Sequence, residues 1–62
     1  MSSGEEEGYI VEFISYGPYV KVSAIDPQTG REVSIVGDPA AGKEALSRLA
    51  VRKLHYTLTK GK

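Results

Sequence analysis

The stretch GDPAAGKE, residues 37–44, has the residue types and spacing that most suggest chemistry. Two glycines separated by four residues and followed by lysine match most of the phosphate-loop pattern G-x-x-x-x-G-K-[ST]. In that pattern, backbone N–H groups and the lysine surround nucleotide phosphates, and the final hydroxyl binds Mg²⁺. Here Glu44 replaces the hydroxyl and adds a negative charge, and Pro39 removes one N–H donor. We therefore predict that this stretch binds no nucleotide.

Other catalytic or metal-binding patterns are absent from the sequence. The chain has no cysteine and one histidine, His55, which the helical pattern places on a polar face. Glu12 and Glu32 fall on the open face of a predicted sheet, where a flat surface offers no pocket. We predict no catalytic residue, no cofactor and no metal site, and hence a protein that is not an enzyme.

The elements that position these residues begin with three predicted strands. YIVEFISY (9–16), YVKVSAID (19–26) and REVSIV (31–36) are rich in β-branched and aromatic residues. Gly17-Pro18 and residues 27–30 supply turns. Because these connections are too short for crossovers, the sheet must be an antiparallel meander. The loop at 37–44 therefore also lacks the parallel sheet in which phosphate loops occur.

The two turns predict one register. With a two-residue loop at Gly17-Pro18, Phe13 pairs with Val22, and with a four-residue loop at 27–30, Val22 pairs with Ile35. Tyr16 then pairs with Tyr19, and Asp26 with Arg31. This register collects the apolar residues of all three strands on one face. They are Val11, Phe13, Val20, Val22, Ala24, Val33 and Ile35.

One helix is predicted after the sheet. Asp38 is a suitable N-cap and Pro39 suits a first helical position, although Gly42 weakens that turn, so the helix begins at one or the other. It ends near Thr59. One ridge of i, i+4 apolar residues should pack on the sheet, and it consists of Leu46, Ala50, Leu54 and Leu58, with Val51 beside it. The fold class is α+β, in the order β-β-β-α.

The remaining segment, MSSGEEEG, is expected to be a disordered acidic lead-in at residues 1–8, which leaves one domain at 9–60. It has neither the basic start nor the apolar run of a secretory signal, and no stretch is long and apolar enough to span a membrane. A domain of 62 residues buries only roughly 60% of its unfolded surface. Without disulfides, oligomerisation is the most available source of additional stability.

A family resemblance follows from these segments. KVSAIDPQTGREVSIVGDP together with LAVRKLHYTL resembles a small family of uncharacterised bacterial proteins, a domain of unknown function. The turn AIDPQTG with EVSIVG is the most specific part. The resemblance implies a sheet-plus-helix fold and a cytoplasmic bacterial setting, and it carries no catalytic residues.

Two surfaces remain as candidates for function. The register leaves an apolar set facing away from the helix, and we predict that it contacts another protein or a second copy of the chain. This set is Ile10, Ile14, Tyr16, Tyr19, Ile25 and Val36.

The alternative is a nucleic-acid-binding surface on the helix. Residues 1–41 hold two basic and seven acidic side chains, a net charge of −5, and residues 42–62 hold six basic and one acidic, a net charge of +5. The basic residues of this alternative are Arg48, Arg52, Lys60 and Lys62. Glu12 and Glu32 on the sheet would repel phosphate, which makes nucleic acid the less favoured partner.

Overall fold

A computed structural model describes residues 2–6 and 8–60 of the chain. Four antiparallel strands form one sheet in the order β1-β2-β3-β4. They are β1 (Ser2–Glu6), β2 (Tyr9–Tyr16), β3 (Tyr19–Ile25) and β4 (Glu32–Gly37). A 3₁₀ turn (Pro39–Ala41) leads to the helix α1 (Lys43–Lys60), which covers one face of the sheet. The α+β class and the meander followed by one helix are confirmed.

The predicted register is confirmed for the pairs within the strands, and Asp26 and Arg31 lie just beyond them in the turn. Tyr16 lies opposite Tyr19, and Phe13 lies opposite Val22, which in turn lies opposite Ile35. Gly17 has a φ of 55°, and proline fixes a negative φ at the next position. This combination is that of a type II′ turn, whose twist matches the flanking strands.

The turn between β3 and β4 is held by Asp26. Its carboxylate accepts hydrogen bonds from the Gln28 N–H and the Thr29 hydroxyl, each at 3.0 Å. Its backbone N–H donates to the Arg31 carbonyl at 2.8 Å, and its carbonyl accepts from the Gly30 N–H at 2.8 Å. These bonds fix the loop length, and through it the register of β4 on β3.

The core lies between the inner face of the sheet and the predicted ridge of α1. Its buried members are Val11, Val22 and Ala24 from the sheet and Leu46, Ala50, Val51 and Leu54 from the helix. Half-buried neighbours complete it, namely Tyr9, Phe13, Val20, Val33, Ile35 and Leu58. The helix packs mainly on β3 and β4 and less on β2, and the most deeply buried residues of the sheet are Val22 and Ala24 of β3.

The N-terminal segment differs from the expectation of a disordered lead-in at residues 1–8. Ser2–Glu6 forms the strand β1, paired antiparallel with β2 from Ser2 opposite Phe13 to Glu6 opposite Tyr9. Gly8, with a φ of 84°, precedes β2. Backbone pairing needs no apolar side chains, which is why a sequence search for alternating apolar residues finds no strand here.

The start of the helix combines the two predicted possibilities. Asp38 caps the 3₁₀ turn, because its carboxylate accepts from the Ala40 N–H at 2.9 Å. Gly42 then takes a φ of 92°, outside helical geometry, and the α-helix begins at Lys43. Asp38 and Pro39 therefore start a separate short turn, and Gly42 redirects the chain into α1.

Candidate interaction surfaces

The outer face of the sheet is the face that α1 does not cover. The register places all six predicted residues of the apolar set on it, alternating with the core residues along each strand. The structure divides them into two groups. Ile10 and Ile25 lie directly opposite each other and are half-buried. The other four are exposed and gather at the opposite end of the face.

We name those four residues the tyrosine patch, which consists of Ile14, Tyr16, Tyr19 and Val36. Each side chain is between 41% and 65% exposed. Tyr16 and Tyr19 are a cross-strand pair beside the type II′ turn, and Lys21 lies between Ile14 and Val36 in the next row. The patch therefore consists of four exposed apolar or aromatic side chains around one cation, Lys21, and it carries two phenolic hydroxyls.

A polar row separates the tyrosine patch from the Ile10–Ile25 pair. Glu12, Ser23 and Ser34 lie side by side across β2, β3 and β4. The hydroxyls of Ser23 and Ser34 are 3.0 Å apart, and Ser23 is buried. The two hydroxyls are bonded to each other, whereas a surface that covered this row would have to supply a partner for the Glu12 carboxylate.

The loop at 37–44 uses its backbone donors internally. The Ala41 N–H donates to the Asp38 carbonyl at 2.9 Å, and the Gly42 N–H donates to the Pro39 carbonyl at 3.1 Å. The Ala40 N–H is taken by the Asp38 carboxylate. The Lys43 ammonium lies over the Phe13 ring, 5.6 Å from its centroid. These hydrogen bonds form the 3₁₀ turn that leads into α1, and the absence of nucleotide binding stays a prediction.

The outer face of α1 carries the predicted basic residues. Arg48 forms an i, i+4 ion pair with Glu44 at 3.2 Å, and Arg52 is exposed. The Lys60 ammonium lies 5.6 Å from the centroid of the Tyr56 ring. Leu49 and Tyr56, 51% and 60% exposed, interrupt the basic surface. Lys62, the fourth predicted basic residue, lies outside the described residues.

Sequence reasoning missed one contact of α1 with the sheet. The Lys53 ammonium donates a hydrogen bond to the Ser34 carbonyl at 3.0 Å. This bond connects the helix to the backbone of the edge strand β4. In the sequence, Lys53 directly precedes Leu54 of the predicted apolar ridge. A lysine in that position can snorkel along the helix toward a nearby acceptor, and this is the signal that could have indicated the contact.

The described residues hold neither a candidate metal site nor a membrane-spanning helix. Within residues 2–6 and 8–60, no group of His, Cys, Asp and Glu side chains is arranged to hold a metal ion. In the same part of the chain, α1 is not apolar enough over its length to cross a bilayer.

Fold and surfaces together define a small two-layer α+β domain, with one sheet face under a helix and the other uncovered. The chain belongs to the family described as Domain of unknown function (DUF6898), whose family model matches residues 6–61. The resemblance drawn from the sequence is thereby confirmed at the level of the family. No curated protein and no solved structure matches the chain significantly. The cytoplasmic bacterial setting stays a prediction.

Proposed function

We propose that this domain is a non-enzymatic protein-interaction module whose tyrosine patch binds a second copy of the chain. The observation that carries the proposal is the patch itself, four exposed apolar or aromatic side chains that surround Lys21 at one end of the uncovered sheet face. Tyrosine suits such a contact because its ring is buried while its hydroxyl keeps a polar partner.

The charges of the outer face favour a second copy as the partner. Lys21 lies inside the tyrosine patch, whereas Glu12 and Glu32 lie toward the other end of the same face. If a two-fold axis runs perpendicular to the outer face, the Lys21 end of one copy lies against the Glu12 and Glu32 end of the other. Lys21 of one copy can then approach a carboxylate of the other. Such pairing fixes the orientation of the two sheets in addition to the apolar contact.

Molar mass against concentration tests the dimer, by light scattering on the wild type and two matched variants. Val36→Lys places a second cation opposite Lys21 within the patch, and Leu49→Lys makes the same chemical change on the helix. We expect the wild type and Leu49→Lys to reach the dimer mass and Val36→Lys to stay monomeric. A monomeric wild type at all concentrations contradicts the proposal. If Leu49→Lys is monomeric and Val36→Lys remains dimeric, the interface lies on the helix and the proposal is wrong.

A second candidate, nucleic-acid binding, rests on one specific observation. Arg48, Arg52, Tyr56 and Lys60 follow one another at four-residue spacing along the exposed side of α1, and the tyrosine ring is exposed beside the Lys60 ammonium. Basic side chains with an exposed aromatic ring suit a single strand, whose bases stack on the ring while the cations contact phosphates.

Binding of random-sequence single-stranded and duplex oligonucleotides at increasing salt tests this candidate. If the helix binds the strand, the logarithm of the binding constant should fall linearly with the logarithm of the salt concentration. Arg52→Ala should reduce the slope of that line by about one phosphate contact. Lys21→Ala, a cation removed from the sheet instead, should leave the slope unchanged. Absence of binding at low salt rejects the candidate.

A further inference from the structure

Within the part of the chain that the structure describes, β4 is an edge strand, with β3 on one side of it. The hydrogen bond from the Asp26 N–H to the Arg31 carbonyl shows that Arg31 directs its backbone groups toward β3. In an antiparallel strand, the N–H and C=O of one residue point to the same side, and the side alternates from residue to residue. The residues whose backbone groups point to the open edge are therefore Glu32, Ser34 and Val36.

One of these edge groups is bonded to the helix. The Lys53 ammonium donates a hydrogen bond to the Ser34 carbonyl at 3.0 Å, which agrees with the outward direction of that carbonyl. Ser34 is the third of the six residues of β4, so the charge lies near the middle of the open edge. An edge lysine opposes the addition of another strand, because the partner strand would have to displace a hydrated charge.

The strand β4 is complementary to a second copy of itself. An antiparallel pair of two β4 strands centred on Ser34 has two-fold symmetry and places Val33 of each copy opposite Ile35 of the other. The apolar inner face of one sheet then continues into that of the next, and Glu32 lies opposite Val36 on the outer face. Three of the six residues are β-branched and apolar, and none is proline. Such a composition is typical of segments that pair between chains.

The central hydrogen bonds of that symmetric pair would join the Ser34 N–H of each copy to the Ser34 carbonyl of the other. This carbonyl is the one that accepts from Lys53. Pairing must therefore displace the ammonium in both copies or hold two ammonium groups close together, and both alternatives are unfavourable.

We propose that Lys53 protects the edge of the sheet, and that its charge prevents β4 from pairing with β4 of a second copy. The proposal does not depend on the dimer through the tyrosine patch. That dimer stacks two sheets face to face, whereas edge pairing joins two sheets side by side through the backbone.

The test compares full-length variants by light scattering against concentration. Lys53→Met removes the charge and keeps an unbranched side chain, Lys53→Arg keeps the charge, and Lys60→Met makes the same neutral change in the last turn of α1. All three carry Tyr19→Lys at an exposed position of the tyrosine patch, which opposes association through the outer face. Far-UV circular dichroism verifies that α1 is retained, and Lys53→Gln replaces Lys53→Met if it is not.

We expect Lys53→Met to associate at a concentration at least about tenfold lower than the other two variants, because pairing no longer breaks an ammonium–carbonyl hydrogen bond in each copy. Hydrogen exchange identifies the contact. In the associated protein, the backbone amides of Glu32, Ser34 and Val36 should exchange more slowly than in the monomer. A Lys53→Met protein that stays as monomeric as Lys60→Met, or that associates without slower exchange at these three amides, would overturn the proposal.

Discussion

Gly37 sets how closely α1 approaches the sheet. A Cβ atom built on this residue would lie 2.5 Å from Leu46 Cδ2, closer than two carbon atoms can pack. Leu46 is buried in the first turns of α1, so it cannot swing away into solvent. The glycine is required here for close packing, since its position inside β4 needs no left-handed backbone.

Gly37→Ala should therefore destabilise the fold by about 1–3 kcal/mol, the usual effect of overpacking a core. Leu46→Val, which removes the Cδ atoms, should cancel most of that loss in the double variant. A double-mutant cycle by urea denaturation measures the coupling, expected at about 0.5–3 kcal/mol. A stabilised Gly37→Ala single variant would show that the helix packs farther from β4 than described here.

Leu54 and Phe13 are both core residues, but their burial differs. Leu54 is fully buried, whereas Phe13 is half-buried. Leu54→Ala should cost about 2–5 kcal/mol, because it leaves a cavity under the centre of the helix. Phe13→Ala should cost about half as much, since solvent already reaches its ring. Urea denaturation of the two variants compares them directly, and equal losses would indicate that β1 and α1 bury Phe13 more completely.

At the scale of the element, the β3–β4 turn depends on one carboxylate. Asp26→Ala removes the two hydrogen bonds from Gln28 and Thr29 and should cost about 1–3 kcal/mol. Asp26→Asn keeps one carbonyl acceptor, so its loss of stability should lie between that of Asp26→Ala and zero. Gln28→Ala, whose backbone N–H still donates, should change the free energy of unfolding by less than about 0.5 kcal/mol. Thermal melting ranks the three variants, and a neutral Asp26→Ala would contradict this account of the turn.

The helix shows how one element can serve two purposes. Its buried ridge supplies half of the core, and its outer side carries Leu49 and Tyr56 among cations. Ala45, Leu49 and Tyr56 form a second apolar ridge along the helix, and all three are exposed. A single sheet face is too narrow to cover both ridges, so one of them must face solvent or a partner.

At the scale of the whole molecule, the proposed dimer couples association to folding. Anything that binds the folded state alone raises the apparent stability with its concentration. For a dimer of this size, the melting temperature should rise by about 3–5 °C for each tenfold increase in protein concentration. Val36→Lys should melt at one temperature across the series. A wild type that melts independently of concentration would contradict the proposed dimer.

The sequence by itself determined the meander, its register and the buried ridge of α1. Each of these depends on local chemistry that the residues carry with them. Gly17-Pro18 and the Asp26 turn fix the loop lengths, and a one-residue slip would scatter the apolar set from Val11 to Ile35. The Glu44–Arg48 pair is equally local, because four residues along a helix bring two side chains together.

Only the tertiary structure decided the rest. Strand β1 is held by main-chain bonds to β2, and such bonds leave no trace in side-chain alternation. The contact of Gly37 with Leu46 and that of Lys53 with the Ser34 carbonyl depend on where the helix lies across the sheet. The division of the outer face into exposed Tyr16 and Tyr19 and half-buried Ile10 and Ile25 depends on which neighbours surround each residue in space. Sequence spacing fixes the face on which a residue lies, but burial is set by atoms that are distant along the chain.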